Sequence, residues 1–303
     1  MPLTALALVL VAALLHALWN IVAKRAGGDH RFVFLVAVMI VGVWAPLALW
    51  AGVDAIPLWG WREWAVLFAS GMTHLVYFLT LLRGYRVADL TVVYPLARGT
   101  GPLLSTLVAV LLLGERLSTV AMLGVVGVAV GVFLIAGGPK TVRALRSARH
   151  RAGGTAPERA AQDRLRLGLF YGAATGVCIA GYTVIDGYSV KVLLISPILV
   201  DYLGNLFRIP FTAPAVLRDW PAAKQAWLSY WRSALTVAVV SPVAYILVLY
   251  ALQMAPISHV APAREVSMLF AALLGGRLLG EGDRWLRAIG AACIAAGVAG
   301  LAI

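Results

Sequence analysis

Ten apolar runs, each close to the length that crosses a bilayer, constrain this chain more than anything else in it. They cover roughly residues 2–23, 32–50, 64–82, 91–113, 119–137, 167–188, 195–216, 234–254, 257–280 and 285–303. About 20 apolar residues at 1.5 Å per residue span the roughly 30 Å of hydrocarbon. In lipid the backbone must satisfy its own polar groups, which a helix does. Hydrophobic residues make up 62% of the chain and charged residues only 13%, about half the charge of an ordinary soluble domain. The expected fold is therefore an all-α integral membrane protein of ten transmembrane helices. The first run has no basic segment before it and is long enough to span, so it reads as a retained helix and not a signal peptide.

Most connections between the runs are short. The exception, 138–166, is basic and contains Gly153-Gly154 and Pro139. It divides the chain into two five-helix units, 1–137 and 167–303. An odd number of spans per unit forces the second to start on the opposite side from the first. The two units are thus expected to be inverted repeats, related by a pseudo-two-fold axis in the membrane plane. A direct repeat supports this. Shifted by 166 positions without a gap, Pro95–Gly137 matches Ala261–Ile303 at 13 of 43 positions. Shared Leu and Ala mean little here. The informative matches are Arg98 with Arg264, Gly114-Glu115 with Gly280-Glu281, Gly124 with Gly290 and Gly131 with Gly297.

The net charge of +12 does not point to nucleic acid, because basic residues hold membrane loops on the cytoplasmic side. They concentrate in the odd-numbered connections, while the even ones carry only Arg62, Arg116 and Lys191. That places linker 138–166 in the cytoplasm and both termini outside, in a bacterial-type inner membrane. Cys178 and Cys293 lie in apolar runs with no disulfide or metal spacing.

The end of each unit is an apolar helix, a Gly-Glu turn and a Gly-rich helix: LLLGERLSTVAMLGVVGVAVGVFLIA and LLGEGDRWLRAIGAACIAAGVAGLAI. This resembles the EamA-type domain of the drug/metabolite transporter superfamily, with its L-G-E-R-L turn at Leu113–Leu117. The second copy departs at Gly282-Asp283-Arg284. Trp19-Asn20 with Lys24, and Tyr182-Thr183-Val184, fit the family's opening of each unit. The resemblance covers nearly the whole chain outside the linker. It implies a transporter whose cavity is lined mainly by helices one, three, four, six, eight and nine, with two and seven flanking. The superfamily carries amino acids, nucleotide sugars, amines, drugs and other small metabolites. It also implies cytoplasmic termini, against the charge count.

The candidate residues divide by role. Glu115 and Glu281 are read as structural, accepting hydrogen bonds from backbone N–H groups of the following helix. Gly124, Gly131, Gly290 and Gly297 belong to small-residue faces that let helices approach closely, between the halves or with a second protomer. Asp201 and Arg208 share a face of span seven and read as an internal pair. Arg98 and Arg264 lie inside spans, where a charge is costly and faces a cavity or a partner. Pro95 and Pro262, just before them, can break the helix. The pair suits an anion, with Glu265 placed to neutralise Arg264 or to titrate. His16, Trp19, Asn20, His74, Tyr77, Tyr94, Tyr182, Tyr245 and His259 fall on the cavity-forming helices and read as pocket wall. Asp186, one turn after Tyr182, can pair with Lys191 or contact a cation.

Catalysis has no support: there is no H-E-x-x-H, no G-x-S-x-G elbow and no phosphate loop. No metal or cofactor is expected. The sequence reading is a secondary transporter of a small polar metabolite, anionic or zwitterionic, working by alternating access. The partners are that substrate and the lipid bilayer, with a homodimer and proton coupling left open. The alternatives are an exporter of cationic amines or drugs and, in another class, a membrane enzyme or flippase acting on a lipid intermediate.

Overall fold

The computed structural model describes residues 1–26, 30–139, 142–143, 156–274 and 284–303. Glu281, with Gly280, lies outside the described residues. Among the described residues the regular structure is helical: α1 (Leu3–Ala26), α2 (His30–Gly52), α3 (Trp61–Val87), α4 (Leu90–Leu111), α5 (Thr119–Ile135), α6 (Ala156–Lys191), α7 (Pro197–Leu217), α8 (Trp220–Met254), α9 (Ile257–Ala263), α10 (Val266–Leu274) and α11 (Arg284–Ala302), with one 3-10 turn at Ile56–Leu58.

Six of them, α1, α2, α3, α6, α8 and α11, are long and apolar enough to cross a membrane. The others fall short of a simple span for local reasons. α5 has 17 residues, and α4 and α7 each enclose an arginine and two prolines. The ninth apolar run is divided into α9 and α10. Two helices begin earlier than hydropathy predicts. The last part of the expected linker, 156–166, is helical, because Ala, Glu, Gln and Arg are strong helix formers whatever their polarity. α8 starts at Trp220, where the Asp219 carboxylate accepts from the Ala222 N–H at 3.3 Å.

Contacts separate the chain into two compact units that cut across the sequence halves. One holds His74–Val184 and Pro256–Ile303 with Met1; the other holds Pro2–Thr73 and Ile185–Ala255. Each draws helices from both halves.

In the first unit, α5 and α11 meet through glycine. A Cβ on Gly124 would lie 2.6 Å from the Gly297 carbonyl oxygen, and one on Gly131 would lie 2.5 Å from that of Gly290. Under the 166-residue repeat, Gly124 corresponds to Gly290 and Gly131 to Gly297. Each glycine therefore meets the partner's other glycine. Only antiparallel helices, exchanged by a two-fold axis across their length, pair in this way. The face is used within the chain, so it is not the surface for a second protomer.

In the second unit, α1 and α2 pack on α7 and α8. Ala26, Phe32, Leu35, Ala234 and Val237 form one buried cluster, with Trp19 and Trp227 against it. Trp44 Nε1 donates to the Ala238 carbonyl at 3.0 Å. At the rim, Arg31 and Asp219 pair at 2.6 Å.

Candidate functional site

In the first unit the site is built around the break between α9 and α10. Pro262 has no N–H to donate, and the hydrogen bonds after it shorten to three-residue steps: Glu265 N–H to Pro262 O at 3.0 Å, Ser267 N–H to Arg264 O at 3.2 Å and Met268 N–H to Glu265 O at 2.9 Å. Proline in a helix interior removes a ladder bond and favours such a break. Pro95 does not act likewise, since α4 continues through it. The break delivers Arg264 and Glu265 into the interior, where they are 8% and 1% exposed.

Arg98 reaches the break from α4. Its terminal nitrogen lies 2.9 Å from Glu265 Oε2 and donates to Ser267 Oγ at 3.1 Å. The ion pair seen for Glu265 is thus with Arg98, across the repeat, rather than with its neighbour Arg264. The contact is ionic without hydrogen-bond geometry: Arg98 Nε and Glu265 Oε2 are both buried without a hydrogen-bond partner. Tyr94, one turn before Arg98, donates its hydroxyl to Met268 Sδ at 3.1 Å.

Tyr182 on α6 gathers two further aromatics. His74 stacks on it at 4.0 Å between ring centroids, and Tyr77 meets it edge-on at 5.6 Å. The Arg264 guanidinium lies over the Tyr182 ring at 5.9 Å, with its NH2 3.5 Å from the Tyr182 hydroxyl. Eight of the sequence-predicted residues (His74, Tyr77, Tyr94, Arg98, Tyr182, His259, Arg264 and Glu265) lie in this unit. His259 Nδ1 contacts Ser258 Oγ at 3.3 Å. The serines were missed by the sequence reading. Nothing in a lone Ser of an apolar run marks it out, but Ser267 lies three residues beyond an in-span arginine, one helical turn away.

Glu115 accepts two backbone hydrogen bonds, from a helix other than the one expected. Its two carboxylate oxygens accept from Ile257 N–H at 2.8 Å and Ser258 N–H at 2.9 Å. It therefore caps α9 of the other half, while Ser118 caps α5 by accepting from Ala121 N–H at 3.1 Å. A Gly-Glu turn that holds the start of the broken helix positions Arg264 and Glu265 indirectly. Glu115→Ala strands two N–H groups and is expected to cost about 0.5–2 kcal/mol, read as a lower melting temperature. An unchanged value would mean that the cap is redundant.

The second unit holds a separate polar centre. Asp186 is fully buried and accepts from the hydroxyls of Ser70 on α3 and Tyr245 on α8. Arg208 lies within electrostatic reach of Asp186, Tyr245 and Asp201. The Asp201–Arg208 contact expected from the sequence is indirect. Arg208 Nε donates to the Gly204 carbonyl at 2.8 Å, and Asn205 Nδ2 donates to Asp201 Oδ2 at 3.3 Å. Asn20 Nδ2 donates to the His16 carbonyl at 2.7 Å, and His16 touches Trp19 edge-on at 4.9 Å. Trp19, expected on a pocket wall, packs into the hydrophobic cluster of this unit, because its indole offers more apolar surface than a polar cavity needs. Among the described residues, no group of three His, Cys, Asp or Glu side chains can hold a metal ion.

The sequence model of the EamA-like transporter family matches residues 3–137 and again 166–303. The chain belongs to the EamA-like transporter family. It is a multi-pass membrane protein with the two-repeat architecture of that family. A solved structure described only as "Crystal structure of protein" superposes with a TM-score of 0.71 at 18% identity, over 98% of this chain and 96% of its own. At that identity it speaks for the fold alone. A comparison with curated proteins found no match.

Proposed function

We propose that this EamA-like protein is a secondary transporter of a small anionic or zwitterionic metabolite. It works by alternating access between two inverted five-helix repeats, 1–137 and 167–303, joined by the basic linker, in a bacterial-type inner membrane. The observation that carries the substrate charge is the α9–α10 break. Arg98, Arg264 and Glu265 bring two guanidiniums and one carboxylate together inside an apolar unit. Guanidiniums recognise carboxylates and phosphates through charge-assisted hydrogen bonds, so the break offers donors of the kind that bind an anion. The crosswise glycine pairing of α5 and α11 supports the inversion.

The cationic-amine reading needs a free aromatic face. Tyr182, the hub of the aromatics, already has a ring stacked on it and a resident guanidinium over it. A thermal-shift panel sorted by charge tests the choice. Ligands that bind the folded state at 100 times their Kd add about 2.7 kcal/mol. Carboxylates, phosphates and amino acids are expected to raise the melting temperature of the purified protein, and Arg98→Lys with Arg264→Lys to remove most of the rise. A rise with amines alone would overturn the reading.

Sidedness has its own test. With both termini outside, a C-terminal alkaline phosphatase fusion is expected to be active and a fluorescent-protein fusion dark. The opposite pattern would put the termini in the cytoplasm.

A further inference from the structure

A groove of about 350 Å3 runs between α4 and α5. Its wall is almost wholly apolar, with Leu96, Leu103, Val126 and Phe133 among the residues lining it. Leu103, Val126 and Phe133 are 39%, 51% and 36% exposed, so the groove opens on the outside of its unit. Gly99, Leu103 and Ala129 also line a second, much narrower recess whose lining includes Arg98 and Glu265. The two spaces share these three residues, so the groove lies beside the ion pair.

Gly99 marks the junction. A Cβ built on it meets nothing within 4 Å. Mid-helix glycine costs conformational entropy, and protein interiors fill space where packing is the only demand. Here the space beside Gly99 is left open. Its counterpart under the repeat is Glu265, so one half supplies the carboxylate and the other supplies the room. A bilayer acyl chain alone would use the groove without the arginine. The unpartnered Nε of Arg98 at the inner end matches an anionic head group at the end of an apolar tail.

We infer that the anion bound at Arg98 is amphipathic, an aliphatic or aromatic carboxylate, with its tail lying in the α4–α5 groove. This rests on the anion-binding reading above. The inner recess is too narrow for a water molecule in this conformation, so the head group takes its place when the Arg98–Glu265 pair opens.

The test follows Arg98 itself. The full chain in lipid nanodiscs is treated with phenylglyoxal, and modification of Arg98 is measured by peptide mass spectrometry in the presence of acetate or octanoate. Octanoate is expected to protect Arg98 at a concentration at least about tenfold lower than acetate, as the burial of two methylenes alone would give. Glu265→Gln is expected to speed modification and to strengthen protection by both. Gly99→Phe, whose first added atom meets nothing within 4 Å, is expected to abolish the advantage of octanoate over acetate. Gly99→Leu repeats this with a smaller plug. Equal protection by the two acids, or an octanoate advantage that survives both Gly99 variants, removes the tail site and leaves anion binding standing. Absence of protection by either acid, in the natural protein and in Glu265→Gln, removes both.

Discussion

Arg98→Ala is expected to destabilise the protein by about 3–5 kcal/mol, the cost of leaving one member of a buried ion pair alone. Glu265 is 1% exposed and its Oε2 atom lies 2.9 Å from the Arg98 guanidinium. Without that partner the carboxylate has neither water nor its paired charge. Ser267 also loses the donor at 3.1 Å. The loss concentrates at the α9–α10 break, where Pro262 has already weakened the backbone ladder. Arg98→Lys keeps the charge but not the planar fork, so it tests binding with less damage to the fold. The double change Arg98→Met with Glu265→Leu removes both ions and is expected to recover most of the loss, since apolar residues of similar volume often replace a buried pair at no cost. Unfolding in micelles, followed by tryptophan fluorescence, measures all three. If Arg98→Ala melts like the natural protein, the pair is not what neutralises Glu265.

These charges also show how far a sequence can be read. Arg98 and Arg264 stood out because a charge inside an apolar run is conspicuous, and Pro262 announced the break beside one of them. What could not be read was which charge meets which. Glu265 is the chain neighbour of Arg264, yet the partner seen is Arg98, because a helix break turns consecutive residues in different directions. Glu115 repeats the lesson. Its type and its turn marked it as a cap, but the helix it caps is 142 residues away and not the next one. Ser70 and Tyr245 converge on Asp186 from two other helices, and hydropathy assigns no azimuth to a helix that is apolar all round. The helices themselves were legible for the opposite reason, since length and apolarity are properties of one segment. Where polarity and helicity part company, as at 156–166 and before residue 234, the boundaries moved. An indole such as that of Trp19 can serve as wall or as core, and its residue type alone does not show that it packs against a hydrophobic cluster.

The glycine pairs carry the second large effect. Gly131→Leu is expected to abolish the folded protein, seen as loss of the monodisperse peak in fluorescence-detected chromatography. The first added atom would already lie 2.5 Å from the Gly290 carbonyl oxygen and 2.6 Å from Ile294 Cγ1. Backbone cannot step aside as a side chain does, so α5 and α11 must separate along their length. Even Gly131→Ala is expected to lose about 1–3 kcal/mol through overpacking. Gly42→Ala, where nothing lies within 4 Å, is expected to gain about 0.5–1 kcal/mol from helix propensity. The crosswise pairing sharpens the test. Gly131 and Gly290 share one contact, since a Cβ on Gly290 would lie 2.8 Å from the Gly131 oxygen. Helices already parted for one alanine have made room for the other. The double variant Gly131→Ala with Gly290→Ala should therefore lose less than the sum of its parts, with a coupling within the roughly 0.5–3 kcal/mol seen for residues in contact. Gly131→Ala with Gly297→Ala joins repeat-equivalent positions that face different partners, so its coupling should be smaller. Parallel helices would reverse that order, because equivalent glycines would then meet each other. The sign of this difference therefore measures the antiparallel relation of the two repeats in solution.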